Sequence, residues 1–105
     1  MKKFKIGFRP LAEADLFALY RHIAAESGHR IAGGYIERIE AACDPLATFP
    51  LRGRKRDDIR PGLRVVGFER RATIVFQVKK TEVVIVRILY GGQDYERALR
   101  TKADF

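Results

Sequence analysis

Arg52-Gly53-Arg54-Lys55-Arg56-Asp57-Asp58-Ile59-Arg60-Pro61-Gly62-Leu63-Arg64 separates two kinds of pattern in the chain. Six of its thirteen residues are basic, and Gly53 and the Pro61-Gly62 pair punctuate it as turns. Before it, apolar residues recur every three or four positions, the period of helices; after it they alternate or run together, as in strands. The stretch reads as a hinge between a helical half and a β half. It is also where positive charge is densest.

Moving upstream, Phe49-Pro50 closes a helix that starts near His29 and carries Ala32, Ile36, Ile39, Cys43 and Leu46 on one stripe. Pro45 must kink or interrupt its last turns, because proline removes a helical donor and clashes with the turn before it. Gly33-Gly34 weakens the helix by about 1 kcal/mol per glycine relative to alanine. The pair marks either a close backbone approach to a neighbouring helix or a mere local weakness. An earlier helix opens at Pro10, tolerated in a first turn where its missing N–H is not needed, and runs to about Glu26. Glu13 and Asp15 lie near its positive end, and Ala12, Leu16, Leu19, Tyr20 and Ile23 form its apolar face. With only Ser27-Gly28 between them, the two helices must form an antiparallel hairpin. Phe4, Ile6 and Phe8 alternate with polar residues as a half-buried N-terminal strand.

Downstream, three strands are expected: Leu63 to Phe68, Thr73 to Val78, and the most apolar, Val83 to Tyr90. Charged turns at Glu69-Arg70-Arg71 and Lys79-Lys80-Thr81-Glu82 join them. The last strand reads as central and ends at Gly91-Gly92. Asp94 could cap a short terminal helix through about Arg100. The expected architecture over residues 1–105 is a single α+β domain: strand, two-helix hairpin packed on one sheet face, three-stranded antiparallel meander, short C-terminal helix.

The 105 residues suffice for a modest core without covalent staples. The lone cysteine, Cys43, excludes an internal disulfide and fits a buried small hydrophobe in a reducing compartment. With no apolar leader after Met1-Lys2-Lys3 and no run of membrane-spanning length, a soluble cytoplasmic protein with no membrane contact is expected. The net charge of +8 points to a polyanionic partner, though a basic surface also serves solubility. Eight basic and three acidic residues between Arg52 and Arg71 make a local +5, so the charge is clustered.

No phosphate-binding glycine loop, paired cysteines or nucleophile elbow is present, and no cofactor or metal is expected. His22 and His29 read as surface or cap residues. Strict alternation puts Val84, Val86, Ile88 and Tyr90 on one face of the last strand and Val83, Ile85, Arg87 and Leu89 on the other. Arg87 is a charge within an apolar strand. With Arg64 it could line a basic concavity on the sheet face away from the helices and bind phosphate bidentately, or it pairs with Glu82 or Asp94 and serves structure. Tyr90 reads as a half-buried ring with its hydroxyl in water.

Four stretches together resemble the ParE/RelE superfamily of type II toxin–antitoxin systems, and more closely its ParE branch. They are Phe8-Arg9-Pro10-Leu11-Ala12-Glu13-Ala14-Asp15-Leu16, Phe49-Pro50-Leu51-Arg52-Gly53-Arg54, Asp58-Ile59-Arg60-Pro61-Gly62-Leu63-Arg64, and Val86-Arg87-Ile88-Leu89-Tyr90-Gly91-Gly92-Gln93-Asp94. The resemblance covers almost the whole chain. It implies a growth-inhibiting, plasmid-stabilising toxin that binds and poisons DNA gyrase and is neutralised by a cognate antitoxin. The alternative it implies is RelE-like cleavage of mRNA on the ribosome, by metal-free acid–base chemistry.

For target binding it nominates Arg60, Arg64, Arg87 and Tyr90; as a nuclease, Arg64, Arg87 and Tyr90 would be catalytic. No histidine or glutamate stands at the end of the last strand, where many active nucleases of the superfamily keep a catalytic group. Many ParE-like chains have histidine where this one has Tyr90. A partner of this class is acidic, a ribbon-helix-helix protein with a disordered tail that folds as it binds. Its expected receptors are the helix-hairpin groove at Leu19, Tyr20, Ile23, Tyr35 and Ile39, and the basic edge at Arg60 and Arg64. A third reading is a degenerate toxin that only binds its antitoxin.

Overall fold

The computed structural model describes residues 3–91 and 95–100. Its elements are β1 (Lys5–Phe8), α1 (Pro10–Ser27), α2 (His29–Cys43), a 3-10 helix (Asp44–Ala47), β2 (Arg54–Lys55), β3 (Leu63–Phe68), β4 (Ala72–Val78), β5 (Glu82–Tyr90) and α3 (Tyr95–Leu99). The expected order of strand, hairpin, meander and terminal helix is the observed one. All strands join one sheet in the order β1-β5-β4-β3-β2, with β1 parallel to β5 and every other pair antiparallel. β5 is an interior strand, between β1 and the middle strand β4, in keeping with its apolar content.

The helical hairpin follows from local chemistry. Pro10 occupies the start of α1, and Gly28, at φ 92°, ends it with its N–H on the Ala24 carbonyl. Pro45 converts the last turn of α2 into the 3-10 helix, which still buries Leu46. The Gly33-Gly34 pair does not mark a close approach. A Cβ on Gly33 would meet nothing within 4 Å, and one on Gly34 would meet only the Arg38 guanidinium at 3.8 Å.

α1 and α2 bury Ala12, Leu19, Ile23, Ala32, Tyr35, Ile39 and Cys43 against Ile74, Phe76, Val83, Ile85 and Ile88 of the sheet. Each large apolar side chain so buried contributes about 1.5–3 kcal/mol. Burial pushes the Cys43 thiol up to about 12, so it stays protonated and inert. The opposite sheet face is covered as well. Leu63, Val65, Val75, Val84, Val86 and Leu89 form a second apolar layer with Leu99 and Ala98 of α3 and Ile59.

That second layer corrects the alternation expected for β5. Val75 pairs with Arg87 but Phe76 pairs with Ile85, so Val86 is an extra residue, a β-bulge. The bulge resets the period. Val83, Ile85, Ile88 and Tyr90 go with the helix side, and Val84, Val86 and Leu89 with the α3 side.

Candidate functional site

The hinge is more structured than its composition implies. Gly53, at φ 74°, packs so tightly on β3 that a Cβ there would lie 2.2 Å from the Val65 carbonyl oxygen; one on Gly62, at φ 80°, would lie 2.7 Å from that of Val78. Between these two anchors runs β2, paired Arg54 to Val65 and Lys55 to Arg64. Arg56 is buried: it donates to both carboxylate oxygens of Asp58 at 2.9 and 2.7 Å and to Glu96 of α3 at 2.8 Å. The Asp57 carboxylate accepts the Gly62 N–H at 2.8 Å and faces Lys55 at 3.3 Å. The Gly62 amide first, then Lys55, holds the Asp57 carboxyl below its usual range. Part of the cluster's charge is therefore spent inside the fold. Arg52, Arg54 and Lys55 remain exposed and Arg64 half-exposed, with its guanidinium on the Arg52 carbonyl at 3.3 Å.

Arg87 does not meet Arg64 in an open concavity, and its partner here is Asp15 of α1. Two guanidinium N–H groups reach the Asp15 carboxylate at 2.8 and 3.0 Å, and the Ile88 N–H donates to the same carboxylate at 2.9 Å. Both side chains are about five-sixths buried, at 15% and 16% exposure. α1 supplies the counter-charge. The Asp94 partner expected from sequence lies outside the described residues.

Tyr90 sits at a corner where several elements meet. Its ring packs edge-on against Tyr35 at 6.1 Å and His22 at 5.9 Å, and the Arg71 guanidinium, whose pKa is raised by Tyr90, lies beside it. A shallow cleft of about 270 Å³ opens there, lined by Asp15, Ala18, Leu19, His22, Ile88 and Tyr90. Across it, Arg38 grips Glu69 through two hydrogen bonds of 2.8 and 3.1 Å. Arg38 holds the Glu69 carboxyl below its ordinary range. Glu69 and Arg70 form the β3–β4 turn with φ of 47° and 60°, conformations that favour glycine. His29 begins α2 with its Nδ1 on the Tyr20 hydroxyl at 2.9 Å, and His22 is exposed. No group of three metal-ligating side chains occurs among the described residues, and no helix among them is long and apolar enough to cross a membrane.

The family is decided by comparison. Residues 6–95 match the family model described as the ParE toxin of type II toxin-antitoxin system, parDE. The chain belongs to the ParE toxin family. It is 33% identical to Toxin ParE3 of Caulobacter vibrioides over 97 residues, 92% of this chain and 95% of that protein. It superposes on the solved structure of the chromosomal ParDE TA system from P. aeruginosa with a TM-score of 0.74 at 29% identity, over 85% of this chain and 97% of that one. A ParE toxin is one half of a toxin–antitoxin pair, which implies a cognate antitoxin.

Set against this fold, the sequence-nominated residues separate. Leu19, Ile23, Tyr35 and Ile39 are core residues, 0–9% exposed, so in this conformation they cannot be a receptor surface; of that set only Tyr20 reaches solvent in part. Amphipathic spacing identifies the face a helix buries, and here the sheet already covers that face. The apolar side chains left outside are Phe17 (64%), Ile31 (58%), Phe49 (61%) and Leu51 (73%), which the sequence reading did not single out. Their off-stripe positions were the available signal. Arg60 and Arg64 stay near the surface, flanking the turn that leads into β3.

Proposed function

We propose that this ParE-family toxin acts by binding DNA gyrase and trapping it on cleaved DNA, and that a cognate acidic antitoxin neutralises it. The observation that carries the choice of binding over RNA cleavage is the scattering of Arg64, Arg87 and Tyr90. Arg64 pairs with Phe76 near the start of β3, whereas Tyr90 pairs with Ala72, level with Phe68 at its end. Four residues of strand and two strand spacings separate them, about 13 Å along the sheet and about 9–10 Å across it. Arg87 is spent on Asp15. A phosphorane needs its acid, base and cations within a few ångströms of one centre, and these three do not share one.

In this reading Arg60 and Arg64 belong to the charged surface offered to gyrase or antitoxin. The apolar contacts for the antitoxin are the exposed Phe17, Ile31, Phe49 and Leu51 rather than the buried hairpin stripe. The cytoplasm, where gyrase works, is the matching compartment. The test is two parallel assays on purified toxin: gyrase supercoiling with a readout of trapped cleaved DNA, and mRNA cleavage on programmed ribosomes. Trapped gyrase–DNA with intact mRNA is the expected result. Codon-positioned cuts lost in Arg64→Ala would replace binding with catalysis. Charge reversal at Arg60 and Arg64 that leaves antitoxin affinity unchanged would remove the basic edge from the antitoxin interface.

A further inference from the structure

We propose that the β2 edge of the sheet is a contact for the phosphate backbone of duplex DNA. This deepens the gyrase reading, on which it rests for the source of that DNA, the duplex gyrase holds; the contact itself requires no other protein.

The β2 edge holds an arrangement that folding alone disfavours. Lys55 and Arg64 stand directly opposite one another across the β2–β3 ladder. Like charges in that position repel, and either could be neutral at no loss of core. Arg54, one residue along, pairs with Val65 of the α3-side layer, while Arg64 pairs with Phe76 of the helix-side core. The cations therefore straddle the edge of the sheet, Arg54 on one side and Lys55 with Arg64 on the other. Arg52 and Arg54 are exposed, and neither is in an ion pair among the described residues. Lys55 faces the exposed Asp57 carboxylate at 3.3 Å, and Asp57, which also accepts the Gly62 N–H, offsets only one of the four cations.

The edge is also fixed in place. Gly53 is wedged against the Val65 carbonyl, and Arg64 is tethered to the Arg52 carbonyl, so the ridge is ordered before any ligand arrives. What it presents is charge on both sides of a rim, with a strand only two residues long. So short an edge strand, carrying cations, is poorly suited to accepting an added peptide strand, which needs a run of open backbone groups. A phosphate backbone needs only cations spaced along a ridge, in no fixed hydrogen-bond pattern. An acidic antitoxin tail lying over the same cations would displace the DNA.

The experiment measures binding of the whole chain to a labelled duplex of about 20 base pairs by fluorescence anisotropy across a salt series, without gyrase. If Arg52, Arg54, Lys55 and Arg64 each neutralise a phosphate, log affinity falls against log salt with a slope of about −3.6, from roughly −0.9 per contact. The variant Arg52→Gln/Arg54→Gln/Lys55→Gln should flatten the slope by about 2.7 and weaken binding by about tenfold or more at moderate salt. The control Lys3→Gln/Lys5→Gln/Arg30→Gln loses the same charge away from this edge and should keep the wild-type slope. Unchanged thermal unfolding shows that both variants fold. Equal losses in the two variants would overturn the proposal, since binding would then follow net charge alone. So would no duplex binding at low salt, or preference for single-stranded RNA or for a poly-glutamate peptide over the duplex. The outcomes stay separable from the gyrase reading: a wild-type chain that binds duplex at this edge yet traps no gyrase keeps the inference and loses that reading. A chain that traps gyrase with no edge-dependent duplex binding does the reverse.

Discussion

One face of the sheet lies under α1 and α2, eighteen and fifteen residues long; the other lies under Ile59 and the five residues of α3. Beneath the hairpin, contact is continuous and apolar, fastened at one end by the Asp15–Arg87 pair. α3 itself contributes one fully buried side chain, Leu99, to its layer, and the helix is tied down by the Arg56–Glu96 ion pair and, through Asp58, by Arg100. Apolar burial is indifferent to salt and pH; exposed ion pairs are not. The hairpin face should therefore set the stability of the molecule, and the α3 face should open first and answer to solution conditions.

The largest effect should come from the hairpin face. Phe76 is fully buried between the helices and the sheet, and Phe76→Ala removes its contacts and leaves a cavity, costing about 3–5 kcal/mol in denaturant unfolding. A loss below about 1 kcal/mol would mean that face is not the main core. Next comes the fastening. Arg87→Ala strands the Asp15 carboxylate with only the Ile88 amide for company. Breaking a fully buried pair costs about 3–5 kcal/mol; the residual exposure here lowers the expectation to about 2–3 kcal/mol. The double variant Asp15→Ala/Arg87→Ala should recover part of that loss, because no charge is left unpaired. A double variant worse than the sum of the singles would contradict the pairing. Leu99→Ala should cost less, about 2 kcal/mol, the low end for a buried leucine, because a single helical turn can fall away instead of leaving a void. Hydrogen exchange should then show the Arg100 amide at the end of α3 losing protection while the amides of α2 keep theirs.

How much of this contrast was legible beforehand depended on which physical rule wrote each element. The hairpin was legible because period and punctuation agree there: Pro10 and Gly28 mark the ends of α1, and Pro45 the end of α2, each through its own backbone restriction. The partner of Arg87 was not, because two non-local facts decide it. A bulge at Val86 breaks strand alternation, and α1 brings Asp15 alongside from 72 residues away in sequence. Local pattern carries no trace of either. The charged hinge misled in another way, since composition counts Arg56 with its neighbours although it is buried among carboxylates. Leu19, Ile23, Tyr35 and Ile39, expected as receptor residues, carry so clear an apolar stripe that they are buried in the core. Exposed apolar residues such as Leu51 lie off any stripe, and that position was their one mark in the sequence.

The smallest effect is the most local, confined to the contacts that Asp58 makes with Arg56 and Arg100. Arg56, hydrogen-bonded to Asp58, holds the Asp58 carboxyl down at about 2, below its ordinary 3.8. A group whose folded pKa is depressed contributes stability that is fully present above the unfolded value and is lost as pH falls through the folded one. The contribution of Asp58 is therefore intact above about pH 4 and fades towards about pH 2. Asp58 is largely exposed, so the consequence is local and not global unfolding. Once Asp58 is neutral, Arg56 loses its bidentate partner, and Arg100 loses its carboxylate at 3.5 Å. The Arg100 amide, bonded to the Glu96 carbonyl at 3.1 Å, reports whether α3 is still wound. Its protection, taken against the intrinsic exchange rate at each pH, should fall through this acid window while that of the Ala32 amide at the start of α2 holds. In Asp58→Asn the Arg100 amide should exchange quickly already at neutral pH and show little further acid dependence in that window. If instead both amides open together in the wild-type chain, α3 and the hairpin form one cooperative unit and the contrast between the two faces is wrong.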